Sequence, residues 1–198
     1  MTLNPCPMPW RWCEAVMAPL IVDPNALSGA GVSVSASGDG LASALTTLTG
    51  AINANTGYDA AGVVFGRQYV SAAGELLKAI TSGANACRNI GYGVQMSAVN
   101  YSRAEAASDI SGRTQALPAP RCPARLAAPG SPSSGGTSVP PPALWSVVQQ
   151  FVGSTWPDGN PAELRSAAAA WRAAAGRLNG TGAEVSGTRG TIAGQSID

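Results

Sequence analysis

Three features of the sequence predict an all-α chain. Apolar residues recur at every seventh position over two long stretches, the spacing of a helix that packs lengthwise on another. Two helical segments open on capping signals, Asp23-Pro24 and Asn160-Pro161-x-Glu163. Ala, Gly, Ser and Thr dominate, whereas Phe and Tyr number only 2 and 4. There is therefore little to bury per residue, and slender helices with small-residue contacts fit better than a large globular core.

The first helix begins where Asp23 can accept from free amide groups and Pro24, lacking an N–H, fits the first helical position. Leu27, Val34, Leu41 and Leu48 form one row at seven-residue steps, and Gly31, Gly38, Leu45 and Ile52 form the adjacent row. Each glycine weakens a helix by about 1 kcal/mol relative to Ala, yet allows close backbone approach, so a partner helix is expected to hold this one. The stretch "NANTGYDAAG" at 53–62 reads as a turn.

The helical period resumes from about Gly62 with Phe65, Tyr69, Leu76, Ile80, Cys87, Ile90, Val94 and Tyr101. Ile80, Cys87, Val94 and Tyr101 again step by seven. Two long helices with a short connection are expected to lie antiparallel, giving a helical hairpin over 17–114. Leu27, Val34, Leu41, Leu48, Ile80, Cys87 and Val94 are the expected pairing residues.

Residues 115–142 are rich in Pro, Gly and Ser with no apolar period, and are expected to form a disordered linker. A partial second helical module is expected at 143–180. It comprises a short apolar helix with Leu144, Trp145, Val148, Phe151 and Val152, a turn at "WPDG", and a longer helix starting at Pro161. Leu164, Ala168, Trp171, Ala175 and Leu178 are the expected buried face of that longer helix, and Trp156, Pro157, Gly159 and Trp171 are expected to shape the module. The Gly/Thr-rich residues 181–198 read as a flexible tail. Residues 1–16 read as a doubtful leader, because Met17 opens the more natural start "MAPLIVDP" and the prolines and Glu14 break any signal-peptide core.

Several function classes find no support. Lys and Arg total 12 against 11 Asp and Glu, so the chain lacks the basic surplus that holds nucleic acid or anionic lipid, and nothing in it argues for membrane association. There is no His, which removes the commonest general base and most zinc sites. No G-x-S-x-G, phosphate-binding loop or dinucleotide fingerprint is present, so neither catalysis nor a cofactor or metal is expected. Cys87 falls on a helix and Cys122 in the linker. In an oxidising compartment they could pair and in a reducing one both would be free, but a small apolar Cys87 and an incidental Cys122 is the simpler reading.

Tyr101 and Glu105 stand out where the second helix is running out. Four residues apart, they share a helix face and would offer one aromatic and one charged contact to a reader. The plainer account makes Tyr101 the last packing residue of its row and Glu105 a solvated acid. Tyr-x-x-x-Glu beyond a helical hairpin resembles the Tyr-x-x-x-Asp/Glu export signal of type VII (ESX) secretion substrates.

The resemblance extends along the chain. "MAPLIVDPNAL", "AGVVFGRQY", "NIGYGVQMSAVNYSRAEAASDISGR" and "LPAP" resemble the amino-terminal region of mycobacterial outer-membrane channel, necrotizing-toxin-type proteins. "WPDGNPAELRSAAAAWR" resembles the helical domain that follows in that family and recurs at the front of actinobacterial polymorphic toxins. The hairpin is also similar to the WXG-type small secreted proteins, with Gly62, Phe65, Gly66 and Tyr69 standing where those carry Trp-x-Gly. The resemblance implies a non-catalytic substrate or targeting module, secreted or displayed at the cell surface. It would travel with a small helical secreted partner or an ESX chaperone and meet the ESX machinery. A cell-surface channel component and a truncated remnant of a larger channel-toxin are the alternatives.

Overall fold

A computed structural model of the protein describes residues 22–152 and 156–194. The leader at 1–16 with Cys6 and Cys13, and the choice of Met17 as start, lie outside the described residues. Four helices follow in order, α1 (Pro24–Ala51), α2 (Ala60–Ser108), α3 (Trp145–Val152) and α4 (Pro161–Gly194), with no strand among the described residues. At about 1.5 Å per residue α2 is a rod about 70 Å long.

The capping signals act as read. The Asp23 carboxylate accepts from the Asn25 and Ala26 amides at 2.9 and 3.2 Å. Asp59, which the sequence reading passed over, does the same for Ala61 and Gly62 at 3.0 Å each and starts α2. Between them, residues 52–59 reverse the chain. Ile52 lies beside Tyr69, Gly38 beside Ala84 and Gly31 beside Gly91, so α1 and α2 run antiparallel.

Both rows of α1 face inward, and Leu27, Val34, Leu41, Leu48, Leu45 and Ile52 are all buried. On α2 the row read from sequence is displaced. Ile80 is buried, but Cys87 and Val94 are only half-buried and Tyr101 is 40% exposed. The centre of the seam is instead Leu77, Ala84, Gly91 and Ala98, also at seven-residue steps. Close approach is the cause. A Cβ on Gly31 would sit 2.8 Å from the Gly91 carbonyl oxygen, and one on Gly38 would sit 2.8 Å from that of Ala84. Opposite the α1 glycines only small residues fit, and the larger Cys87 and Val94 are pushed to the shoulder.

The third layer is α4, packed along α1. Leu45, Leu48, Ile52, Leu77, Ile80 and Ala174 form one cluster, against which Ala170 and Trp171 rest. Here too the expected face is off by part of a turn. Ala167, Ala174 and Thr181 are buried, while Leu164, Ala168 and Trp171 are half-buried and Ala175 and Leu178 exposed. Small residues again occupy the line of closest approach. Residues 181–194, expected as a flexible tail, continue α4, with the Ser37 hydroxyl donating to Glu184 at 2.8 Å and Arg177 pairing with Glu184 at 3.3 Å.

Residues 113–142 form neither helix nor strand, as their prolines require, but they are fastened to the hairpin. The Leu117 amide donates to Ser102 Oγ at 2.8 Å, and the Leu126 amide to Asn85 Oδ1 at 2.9 Å. The Ala54 and Thr56 amides then donate to the Ser133 and Ser134 carbonyls at 3.1 and 3.0 Å. The expected disordered linker is a strap returning along α2, because side chains of α2 and the turn satisfy the polar groups that its proline-broken backbone cannot pair internally.

Candidate functional site

The end of α2 holds Tyr101 and Glu105 on a short rod of defined shape. Ser102 is buried and anchors the strap through Leu117, which fixes one side of the last two turns. Tyr101 and Glu105, one position before and three after it, face solvent. Among the described residues no hydrogen bond or ion pair engages the Glu105 carboxylate. Its carbonyl accepts from the Asp109 amide at 3.1 Å, closing the helix.

Asp109 then reverses the chain. Its carboxylate accepts from the hydroxyls of Ser111 and Thr114 at 2.6 and 2.7 Å and from the amides of Ser111, Arg113 and Thr114 at 2.8, 3.1 and 2.8 Å. The Ser111 hydroxyl first, then the Thr114 hydroxyl and the amides of Thr114 and Ser111, hold this carboxyl well below the usual range. Asp109 was given no role from sequence. The Asp-x-Ser spacing of a side-chain-capped turn was the signal available.

The second cluster sits at the opposite end, around the hairpin turn. Asn55, 1% exposed, receives its neighbours from two directions. Its amide donates to Glu163 at 2.9 Å, its side-chain amide to the Thr137 carbonyl at 2.6 Å, and its carbonyl accepts from the Asn160 amide at 2.9 Å. Asp158 accepts from the Tyr58 amide at 2.7 Å. That bond first, and the Ser138 hydroxyl next, lower its pKa. Gly57 has φ of +91°, a conformation that favours glycine, and a Cβ there would lie 2.7 Å from Gly159 N. The turn "WPDG" is thus docked onto the hairpin turn. Neither Asn55 nor Asp158 was singled out from sequence, since their partners lie about a hundred residues away.

This docking gathers Phe65, Trp156, Pro157, Gly159, Pro161 and Leu164 around an open apolar groove of about 450 Å³. Gly66 is buried beside Thr56 and Ser134. Trp156 donates to the Val139 carbonyl at 2.9 Å and meets Trp145 edge-on at 4.9 Å. Trp171 lies apart, donating to Tyr69 Oη at 3.2 Å, and Tyr69 donates in turn to the Ile52 carbonyl at 2.5 Å. Among the described residues no group of three or more His, Cys, Asp or Glu could hold a metal ion, and Cys87 and Cys122 are free thiols. No helix among them is long and apolar enough to cross a membrane.

Residues 136–196, covering the end of the strap, α3, the docked turn and α4, match the family model of the WXG100 like domain. Over those residues the chain is similar to a WXG100-like domain. The hairpin of α1 and α2, which sequence reading likened to the WXG-type proteins, lies outside that match. The chain is also 43% identical over 180 residues to a putative NAD(+)–arginine ADP-ribosyltransferase, Mav, of Mycobacterium avium, an alignment covering 89% of this chain and 22% of Mav. It is 44% identical over 161 residues to the outer membrane channel protein CpnT of Mycobacterium bovis and of Mycobacterium tuberculosis, covering 80% of this chain and 19% of CpnT. The chain therefore spans about a fifth of the length of these relatives. No solved structure matches.

Proposed function

We propose that the chain is a non-catalytic export module of type VII (ESX) secretion, with Tyr101 and Glu105 as the residues read by the machinery. The observation that carries this reading is the exposure of both side chains on the last two turns of α2. Ser102 with Leu117 on one flank and the Asp109 turn at the end keep those turns helical. Residues four apart then present a ring and a carboxylate together, which an unwound segment would not. Export would proceed as a helical complex with a small secreted partner or an ESX chaperone, ending in the medium or at the cell surface.

Tagged wild type, Tyr101→Ala and Glu105→Ala, produced in a host with a working ESX system, test the reading. At least a tenfold loss from the culture filtrate is expected for each variant, with cellular levels unchanged. Equal export of all three refutes it.

One feature favours a second reading as a channel component. α3 is uncharged, packs on no other helix among the described residues, and exposes Val147 and Phe151 to 54 and 85%, with Leu144 just before it exposed to 73%. Leakage of dye-loaded vesicles on adding purified protein would support that reading, and intact vesicles would dismiss it.

A further inference from the structure

One flank of α2, about a quarter-turn from its seam with α1, carries a stripe whose large side chains the fold leaves exposed. Phe65, Leu76 and Ile90 are 53, 51 and 57% exposed, and Tyr101 is 40% exposed. These four large residues fall on one line of the helix, since steps of 11 and 14 residues return close to the same direction at 3.6 residues per turn. The positions between them on that line are small or apolar, among them Ala72, Ala79, Gly83 and Val94, and none is charged. A solvated face of this length would ordinarily carry charges, and the opposite flank of α2 does, with Lys78, Arg88 and Arg103.

The stripe is symmetric about Gly83. Leu76 and Ile90 each lie seven residues from it, and Phe65 and Tyr101 each eighteen. Ala72 and Val94 are eleven away, and Ala79 and Cys87 four, with Tyr69 and Ser97, fourteen away at the edges of the stripe, the one unlike pair. A sequence of side chains that reads alike in both directions is what a two-fold axis demands, because an antiparallel copy of the same helix then meets it in register. Gly83 would lie on the axis. Among the described residues nothing within 4 Å would meet a Cβ there, so no packing among them explains a residue that weakens the helix, whereas its lack of a side chain lets two rods approach at the crossing. The area is sufficient. From Phe65 to Tyr101 the stripe runs about 54 Å, and at a width of about 10 Å two copies would together cover about 1,100 Å², just above the lower bound for a specific interface.

We infer that α2 is a self-association surface, on which a second copy of this chain docks antiparallel about Gly83, with Leu76 of each copy against Ile90 of the other. At the ends Phe65 would meet the Tyr101 ring of the other copy, so the pair would cover the aromatic half of the export signal. The inference goes beyond the export reading and does not need it, because association is measured on purified protein without a secretion machine.

Sedimentation of the full chain at about 50 µM under reducing conditions is the test, a concentration that detects a Kd below about that value. A dimer is expected. Leu76→Lys and Ile90→Asp, each placing two charges in the interface, are expected to weaken it about tenfold or more while leaving circular dichroism unchanged, because both positions are exposed. The double variant Leu76→Lys/Ile90→Asp is expected to regain the dimer. Its two new charges stand about 21 Å apart within one helix and can pair only between copies. Val32→Asp, at an equally exposed site on α1, is expected to leave association as it was. A monomer at this concentration, leaving the stripe to a different helical chain, overturns the inference. So does a dimer indifferent to both single changes, or one that the double variant fails to restore.

Discussion

Replacing Gly91 and Gly93 separately by Ala isolates the contribution of close helix approach. Both glycines lie within α2, two residues apart, and both gain about 1 kcal/mol of helix propensity on becoming Ala, so that gain cancels between the variants. Their surroundings differ. A Cβ on Gly93 meets nothing within 4 Å, whereas one on Gly91 would stand 2.5 Å from the Gly31 carbonyl oxygen and 2.6 Å from the Ser35 amide nitrogen. The first distance falls about 0.9 Å short of an ordinary 3.4 Å contact, and both partners are backbone, which cannot rotate aside. The helices must separate, loosening Val34 and Leu27 on one side and Ala98 on the other. Overpacking of this kind typically costs about 1–3 kcal/mol. Urea unfolding followed by far-ultraviolet circular dichroism should therefore place Gly91→Ala about 1–3 kcal/mol below Gly93→Ala, with Gly93→Ala at or above wild type. Coincident midpoints for the two variants would show that the helices do not meet at Gly31 and Gly91.

Two further outcomes follow from the packing of α4 and from the Asp109 turn. Trp171→Ala removes the bond to Tyr69 and a half-buried ring, at a cost of about 2 kcal/mol, less than for a fully buried aromatic. Because α4 lies along α1 and reaches α2 only through side chains such as Trp171, hydrogen exchange should then quicken across 161–194 and leave α1 and α2 protected, and uniform loss would refute that independence. The folded-state pKa of Asp109 is depressed, so its contribution is fully present above the ordinary carboxyl value of 3.8 and is lost only as pH falls through the lower folded value. The amide resonances of Ser111 and Thr114 should accordingly hold steady from about pH 7 to about pH 4 and move below that, while Asp109→Ala releases both at neutral pH. A titration centred above pH 4 would contradict the assigned bonds.

The candidate signal was half legible. Tyr101 and Glu105 could be found from spacing on a helix, because a four-residue separation fixes a shared face wherever the helix lies. What holds that helix end in shape could not. Ser102 and Leu117 are 15 residues apart, and nothing local marks a serine as buried or a proline tract as fastened. The second cluster was less legible still. Trp156, Pro157 and Gly159 were read as a turn, but their docking partners, Asn55 and Gly57, belong to the hairpin turn about a hundred residues earlier.

Local chemistry determined the number and kind of helices, the Asp23 cap and the reversal near Asn53. Caps, prolines and seven-residue periods act within a few turns, and no tertiary contact is needed to state them. The tertiary structure decided which stripe of each helix faces inward, where residues 113–142 run, and how far α4 continues. On α2 the apolar row at Cys87 and Val94 lost the centre to Ala84 and Gly91, and on α4 the row at Leu164 and Leu178 lost it to Ala167 and Ala174. Hydrophobic periodicity ranks residues by size and greasiness. Two backbones held apart by a glycine's width instead select the smallest residue for the line of contact, a preference set by the opposing helix and therefore absent from either helix taken alone.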